Sequence, residues 1–472
     1  MRRRLLIGGA LAIVVLGAAV LYYREETEPV EKRGSAGEEF DRSAAPEDRA
    51  RQARIKEPWP TFGYDLQRSK VSPYDHRPPY RRAWRVDAGD TIEFPPSAAY
   101  GNLYLAQQKG RFFALDGKTG KRVFKTKDFK RCAASSPTIS KGTVYQAYMD
   151  FAPCPQGAAD PTGFIIAMDA RTGREKWRFK GQPFESSPLL AKGILYAGSW
   201  DRNVYAISAS TGKKVWSFET DDRVNTSAAY SKGRIFIATD GGSLYALDAK
   251  TGKQIWKAQS QSRFGSREFF YATPVVAYGR IFIGNTDGTM YAFGQRTGKL
   301  LWARPLGTYI YSSAAVYEQR VYTGTYDGKF FALDAATGDT KWEREMPSAV
   351  HAPPVVMGGL VYASTCSSCG SAASRAVKMG RDSTTAFDVR SGKKRWFNNA
   401  GKYASPIVAD QDRVYLTGRS FQYALEPVGR AARSPGRPAA SGGRARRSSR
   451  RAEQSSAARR RAVRRSRRGR SR

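Results

Sequence analysis

The sequence predicts an all-β fold, an eight-bladed β-propeller of four-stranded antiparallel blades. Three observations lead there. A turn of the form Asp-x-x-Thr-Gly recurs at intervals near 40 residues, and an aromatic residue follows each of its glycines by four positions. Between these turns the chain consists of short β-branched and aromatic runs broken by Gly and Asp. A fixed period near 40 marks a repeat architecture. Four strands per period is the signature of a propeller blade rather than of stacked helix pairs.

The turns begin at Asp116, Asp169, Ser208, Asp248, Gly294, Asp334 and Asp388 and end at Gly120, Gly173, Gly212, Gly252, Gly298, Gly338 and Gly392. The aromatics that follow are Phe124, Trp177, Trp216, Trp256, Trp302, Trp342 and Trp396. One unit shows the strands plainly: Ser227 to Tyr230, Arg234 to Ala238, Ser243 to Leu247 and Gln254 to Lys257. They are joined by Gly233, by Asp240-Gly241-Gly242 and by the Asp248 turn. Gly accepts positive φ and Asp bonds the backbone that follows it, so these connections are hairpin turns. A second column, the start of each innermost strand, reads Ser97, Ser136, Ser187, Ser227, Thr273, Ser313, Pro353 and Ser405, which makes eight units against seven turns. The last unit, from Tyr403 to Pro427, lacks its outermost strand. Ala83-Trp84-Arg85-Val86 precedes the first unit and is free to supply it. Trp84 then completes the set of aromatics, and the ring closes with no open sheet edge between its ends.

The array of Asp-x-x-Thr-Gly-x-x-x-Trp units over residues 59–427 resembles the repeat of the pyrroloquinoline-quinone (PQQ) dehydrogenase propellers. Trp59-Pro60-Thr61-Phe62-Gly63 with Arg68 resembles the segment that precedes the propeller in that family. The resemblance implies that each Trp packs between neighbouring blades. The family includes quinoprotein dehydrogenases and non-enzymatic members, among them the propeller lipoprotein of outer-membrane barrel assembly and sensor domains fused to kinases. Fold alone does not choose between them. The dehydrogenases carry adjacent cysteines and a calcium held by Glu, Asn and Asp at the channel mouth. This chain has no Cys-Cys pair and no haem signature, because Cys369 is followed by Gly370. The expectation is therefore a non-catalytic scaffold with no cofactor and no metal. A quinoprotein oxidoreductase using PQQ and calcium is the alternative.

Outside the repeat, Arg2-Arg3-Arg4 precedes nineteen uncharged residues, 5–23. That run is long enough to span a bilayer, with the arginines kept cytoplasmic. Residues 1–23 read as a single-pass membrane anchor, 24–58 as a flexible charged stalk and 428–472 as a disordered Arg-rich tail. The propeller then stands on the extracytoplasmic side, as a monomer, with a protein or an anionic envelope polymer as partner and no nucleic acid. The formal charge of +37 is concentrated at the end: residues 430–472 hold 17 Arg against one acidic residue. Only two His occur, which excludes chemistry needing several imidazoles.

The four cysteines, Cys132, Cys154, Cys366 and Cys369, lie in two insertions and read as structural disulfides, with a redox dithiol or a zinc site as alternatives. Two residues before each innermost-strand start stands a second column: Pro95, Ala134, Glu185, Asn225, Tyr271, Tyr311, His351 and Tyr403. Strand alternation points it the same way as the first column. From Glu185 onward it is varied, aromatic and polar, which nominates Glu185, Asn225, Tyr271, Tyr311, His351 and Tyr403 as a ligand-reading ring at the channel mouth. Plugging of the channel by hydrogen bonds is the competing role. Trp200, beside Asp201-Arg202-Asn203, reads as a turn residue of little structural weight.

Overall fold

A computed structural model of the protein describes residues 30–46, 58–150, 162–262, 267–369, 380–399 and 407–428. The chain divides into two units, 1–433 and 434–472, and the second lies wholly outside the described residues. So do residues 1–23 assigned to the anchor, together with Cys154 and Tyr403. Among the described residues no helix is long and apolar enough to cross a membrane.

Eight four-stranded antiparallel sheets follow the chain in order. Blades 1 to 7 occupy residues 97–128, 138–181, 189–219, 229–259, 275–305, 315–345 and 355–398. Blade 8 combines three strands between residues 408 and 427 with Tyr80–Asp87, which pairs antiparallel with Phe421–Pro427 and carries Trp84 opposite Ala424. The predicted closure is therefore the observed one.

The repeat motif has a physical basis at each residue. The carboxylate of Asp116 accepts hydrogen bonds from the N–H and the hydroxyl of Thr119, both at 2.7 Å, and these bonds hold its pKa below the usual range. Gly252 has φ +74°, and a Cβ placed there would lie 2.7 Å from the Trp216 ring of the preceding blade. Glycine is thus required twice over, for the turn and for the approach of the indole. Each indole then reaches the next blade. Trp84, Trp177, Trp216, Trp302 and Trp342 donate Nε1–H to the carbonyls of Gly117, Ala209, Ala249, Ala335 and Val389 at 3.0–3.2 Å. Phe124 takes the same place without a donor, against Gly173. Trp256 is half-buried and its Nε1 finds no acceptor. The Ser/Thr column forms a belt around the channel: Ser187 Oγ, Ser227 Oγ, Thr273 Oγ1 and Ser313 Oγ accept from the N–H of Ser136, Ser187, Ser227 and Thr273.

The channel is filled by residues 59–72. This segment lies across the innermost strands and bonds in turn to Ala98, Ile139, Tyr230, Val276, Val316 and Val356, in blades 1, 2, 4, 5, 6 and 7. Arg68 and Lys70 are carried inside with it. Arg68 donates to the Ala228 carbonyl at 2.9 Å and Lys70 to the Ala314 carbonyl at 3.0 Å, and burial brings the Lys70 pKa down to about 7.

The stretch predicted as a flexible stalk behaves differently where it is described. Residues 30–46 lie along blade 5: Lys32 pairs with Ala303, and Phe40 stacks on Tyr278 at 5.3 Å. The buried Arg280 donates to the carbonyls of Ser35, Glu38 and Glu39 on this segment and of Ala335 and Ala336 on blade 6. Composition missed this because the contacts are to backbone. Gly294, which stands where most of the repeats have Asp, is part of the same arrangement. The Glu39 carboxylate accepts from the N–H of Arg296 at 3.1 Å and from the Thr297 hydroxyl, the role that the repeat aspartate plays in the other blades. A Cβ at Gly294 would stand 2.7 Å from that carboxylate. Gly294→Asp, which restores the repeat residue, is therefore expected to expel Glu39 and expose residues 30–46 to limited proteolysis while leaving the blades folded. Unchanged protection would refute the substitution of one carboxylate for the other.

Candidate functional site

The second column of the sequence converges where the channel opens. Glu185 is 8% exposed and both its oxygens are engaged: Oε1 accepts from the Tyr271 hydroxyl at 2.6 Å, and Oε2 from Trp200 Nε1 at 3.2 Å. Burial raises its pKa against the pull of those two bonds. Tyr271 meets Tyr311 edge-on at 5.2 Å, and Tyr311 lies 6.0 Å from His351. The His351 Nδ1 is bonded to the Tyr326 hydroxyl, and burial takes its pKa down to about 4, so the imidazole is neutral at physiological pH. Asn225 donates to Asp240 at 2.8 Å. Four of the six nominated residues (Glu185, Tyr271, Tyr311 and His351) thus form one bonded and stacked cluster, with Asn225 lining the same cavity. Phe62 of the channel segment and Phe94 also line it.

Sequence reasoning missed Trp200, Asp240, Tyr326 and Glu93. The first three stand just after the second strand of their blades, in turns reading Ser199-Trp200-Asp201, Thr239-Asp240-Gly241 and Thr325-Tyr326-Asp327. A search for a second varied column at the same end of the blades would have found them. Trp200 is no idle turn residue: besides bonding Glu185, it packs against the cluster of Cys132, Ala134 and Met149.

Two more carboxyls are perturbed. Burial, aided by repulsion from Glu185, pushes Asp240 up to about 7 and Glu93 up to about 8. A buried carboxyl whose folded pKa exceeds the unfolded one of about 4.3 takes stability away as pH climbs between the two values. Glu93→Gln, which keeps the protonated shape, is therefore expected to leave the thermal midpoint nearly unchanged at pH 4 and to raise it at pH 8. Equal shifts at both pH values would remove Glu93 from this cluster.

The cavity enclosed at the mouth is about 50 Å³, whereas pockets for small ligands run to about 300–1,000 Å³. Both Glu185 oxygens are engaged, whereas Asn225 Oδ1 and Asp240 Oδ1 are buried without a hydrogen-bond partner among the described residues. Among the described residues no group of three or more His, Cys, Asp or Glu is placed to hold a metal ion. The space at the mouth is too small to admit a quinone. The predicted disulfides are seen at Cys366–Cys369, with Cα atoms 5.6 Å apart, and Cys132 is also disulfide-bonded.

Comparison with known proteins agrees with the architecture. The family model for outer membrane protein assembly factor BamB matches residues 77–198, 156–228 and 200–427. The quinohemoprotein alcohol dehydrogenase of Comamonas testosteroni is 29% identical over 236 residues, 44% of this chain and 31% of that protein. The BamB of Burkholderia pseudomallei is 27% identical over 135 residues, 28% of this chain and 32% of that protein. The match thus spans between about a sixth and about a third of the length of the curated relatives. The crystal structure of BamB from Moraxella catarrhalis superposes with a TM-score of 0.59 at 15% identity, over 74% of this chain and 100% of that one. That of the Comamonas dehydrogenase gives 0.63 at 15% identity, over 83% and 85%. At such identities the likeness is one of fold.

Proposed function

The chain belongs to the BamB family of PQQ-like propellers, and on that premise we propose that it is a non-catalytic scaffold that binds a protein partner through its channel mouth. The observation that carries this reading is the mouth itself. Tyr271, Tyr311, Tyr326 and Trp200 converge around a buried, fully bonded Glu185, over a cavity too small for a cofactor. Amphipathic aromatics clustered on a rigid frame are the residues that dominate protein interfaces. In this reading residues 1–23 anchor the chain in the cell membrane with the propeller on the extracytoplasmic side, as Arg2-Arg3-Arg4 before an uncharged span supports.

Similarity to quinohemoprotein alcohol dehydrogenases favours a second reading, an oxidoreductase with an atypical site. Adding PQQ and calcium to the purified full chain separates the two: the scaffold gives no quinone absorbance and no alcohol-dependent dye reduction. Cross-linking in intact cells should then capture a protein at the mouth. Protease added outside wall-stripped cells should reach the propeller, and protection until lysis would sink the topology.

A further inference from the structure

We infer that the groove between blades 2 and 3, on the face opposite the mouth, docks an extended acidic segment of a partner protein. This goes beyond the mouth reading and is independent of it. The chain seats an acidic segment on itself at another seam, which gives the comparison. Residues 31–41 run along the seam of blades 5 and 6, from the mouth end, where Val30 accepts from Gln261, to the opposite face. There Glu38-Glu39-Phe40-Asp41 is held by its carboxylates and its ring. Lys299 meets Glu38 at 3.2 Å, the Arg296 N–H meets Glu39 at 3.1 Å, and Phe40 stacks on Tyr278.

Three blades away the equivalent seam is built from the same places in the repeat. Trp177 and Ala209 stand where Trp302 and Ala335 do, but Lys141 replaces Tyr278 and Thr143 replaces Arg280. Asp169 fills the place of Gly294 and bonds Thr172, so an incoming carboxylate here meets the lysine rim and not the turn. This seam is an open groove of about 1,050 Å³. Tyr64 and Leu66 of the channel segment border it with Trp177 and Leu190, and Lys141, Lys176 and Lys192 rim it. Lys176 donates to Thr143 at 2.7 Å and is 3.9 Å from Asp169. Lys141 and Lys192 are exposed, and among the described residues neither is in an ion pair. Asp65, also in the lining, is spent on the N–H and hydroxyl of Ser69.

Charge separates the two seams. On blade 5 Lys299, which follows the Thr-Gly turn, pairs with Glu38. Its counterparts on blades 1 to 4 (Lys121, Arg174, Lys213 and Lys253) are exposed with no ion pair among the described residues. A cleft with aromatic walls and a lysine rim suits an extended chain with an apolar side chain between carboxylates better than it suits a flat bilayer. Such contacts are surface ion pairs, so the association is salt-dependent.

The test uses the full chain in detergent and a fluorescent synthetic peptide containing Glu-Glu-Phe-Asp, with a photo-cross-linker replacing the Phe in a second version. Lys141→Glu combined with Lys192→Glu should weaken peptide binding at least tenfold with an unchanged melting temperature. Lys125→Glu, outside the groove, should not, nor should substitutions at the mouth. Cross-links should map to 138–145 and 190–193. Equal binding of a Gln-Gln-Phe-Asn peptide, cross-links confined to the Arg-rich 430–472, or an unaffected double variant would overturn the assignment. So would phosphatidylglycerol vesicles binding through Lys141 and Lys192 while the peptide does not, which would make this face a membrane contact.

Discussion

Trp302→Ala is expected to cost about 3–5 kcal/mol of stability, the usual range for emptying a buried tryptophan site, and more than the same change at any other docking aromatic. The indole is 0% exposed, whereas Trp216 and Trp342 retain 9% and 7% and Trp256 is only half-buried. Its Nε1–H bonds the Ala335 carbonyl of blade 6, and its ring takes contacts from Gly338 on one element and Gly34 on another. One truncation therefore loosens the seam of blades 5 and 6 and the segment laid over it. A lowered denaturation midpoint should be accompanied by new protease sensitivity within residues 30–46. Trp256→Ala, which forfeits no hydrogen bond, is expected to be milder. If Trp256→Ala proved as damaging as Trp302→Ala, burial would not be setting the cost.

The double substitution Tyr271→Ala and Tyr311→Ala is expected to weaken capture of the mouth partner by on the order of tenfold or more, since two amphipathic anchors of the kind that concentrate binding energy are lost. The Tyr271 change does a second thing. It takes from Glu185 one of its two donors and leaves a buried carboxyl underbonded, at a cost of about 1–3 kcal/mol. Tyr271→Phe separates the effects, because it keeps the ring and its 5.2 Å contact with Tyr311 while removing the hydroxyl. Partner capture should survive Tyr271→Phe better than the double substitution, although both lose the hydrogen bond. Capture unaffected by the double variant would move the interface away from the mouth.

The fold was legible because a propeller writes each blade with the same local chemistry, so seven imperfect copies of one turn carry more information than any one of them. The mouth column was legible through its repeat spacing; its residues lie in the loops ahead of the innermost strands, so strand alternation is not what turns them inward. Trp200 escaped because its role depends on Glu185, fifteen residues earlier in the loop that leads to the innermost strand. The segment 30–46 escaped for a different reason. Its charges suggested solvation, but Arg280 holds it by main-chain carbonyls, a contact with no side-chain signature. Gly294 did leave a trace, as a break in the repeat. Reading that break as a vacancy for a carboxylate from elsewhere would have pointed to an acidic residue outside the array.

The way residues 59–72 lie across the innermost strands sets an order of events for folding. Six blades bond to this segment, and the strand directly after it, Tyr80–Asp87, closes the ring against Phe421–Pro427. The earliest part of the domain to be made must wait for the latest before it is covered, so the contacts that finish the structure span more than 300 residues of chain. Such long-range closure is slow, and it leaves apolar strands and sheet edges uncovered in the meantime. A nascent chain therefore keeps its first closing strand unpaired until residues 421–427 have been made, and a break anywhere in the array delays both ends at once.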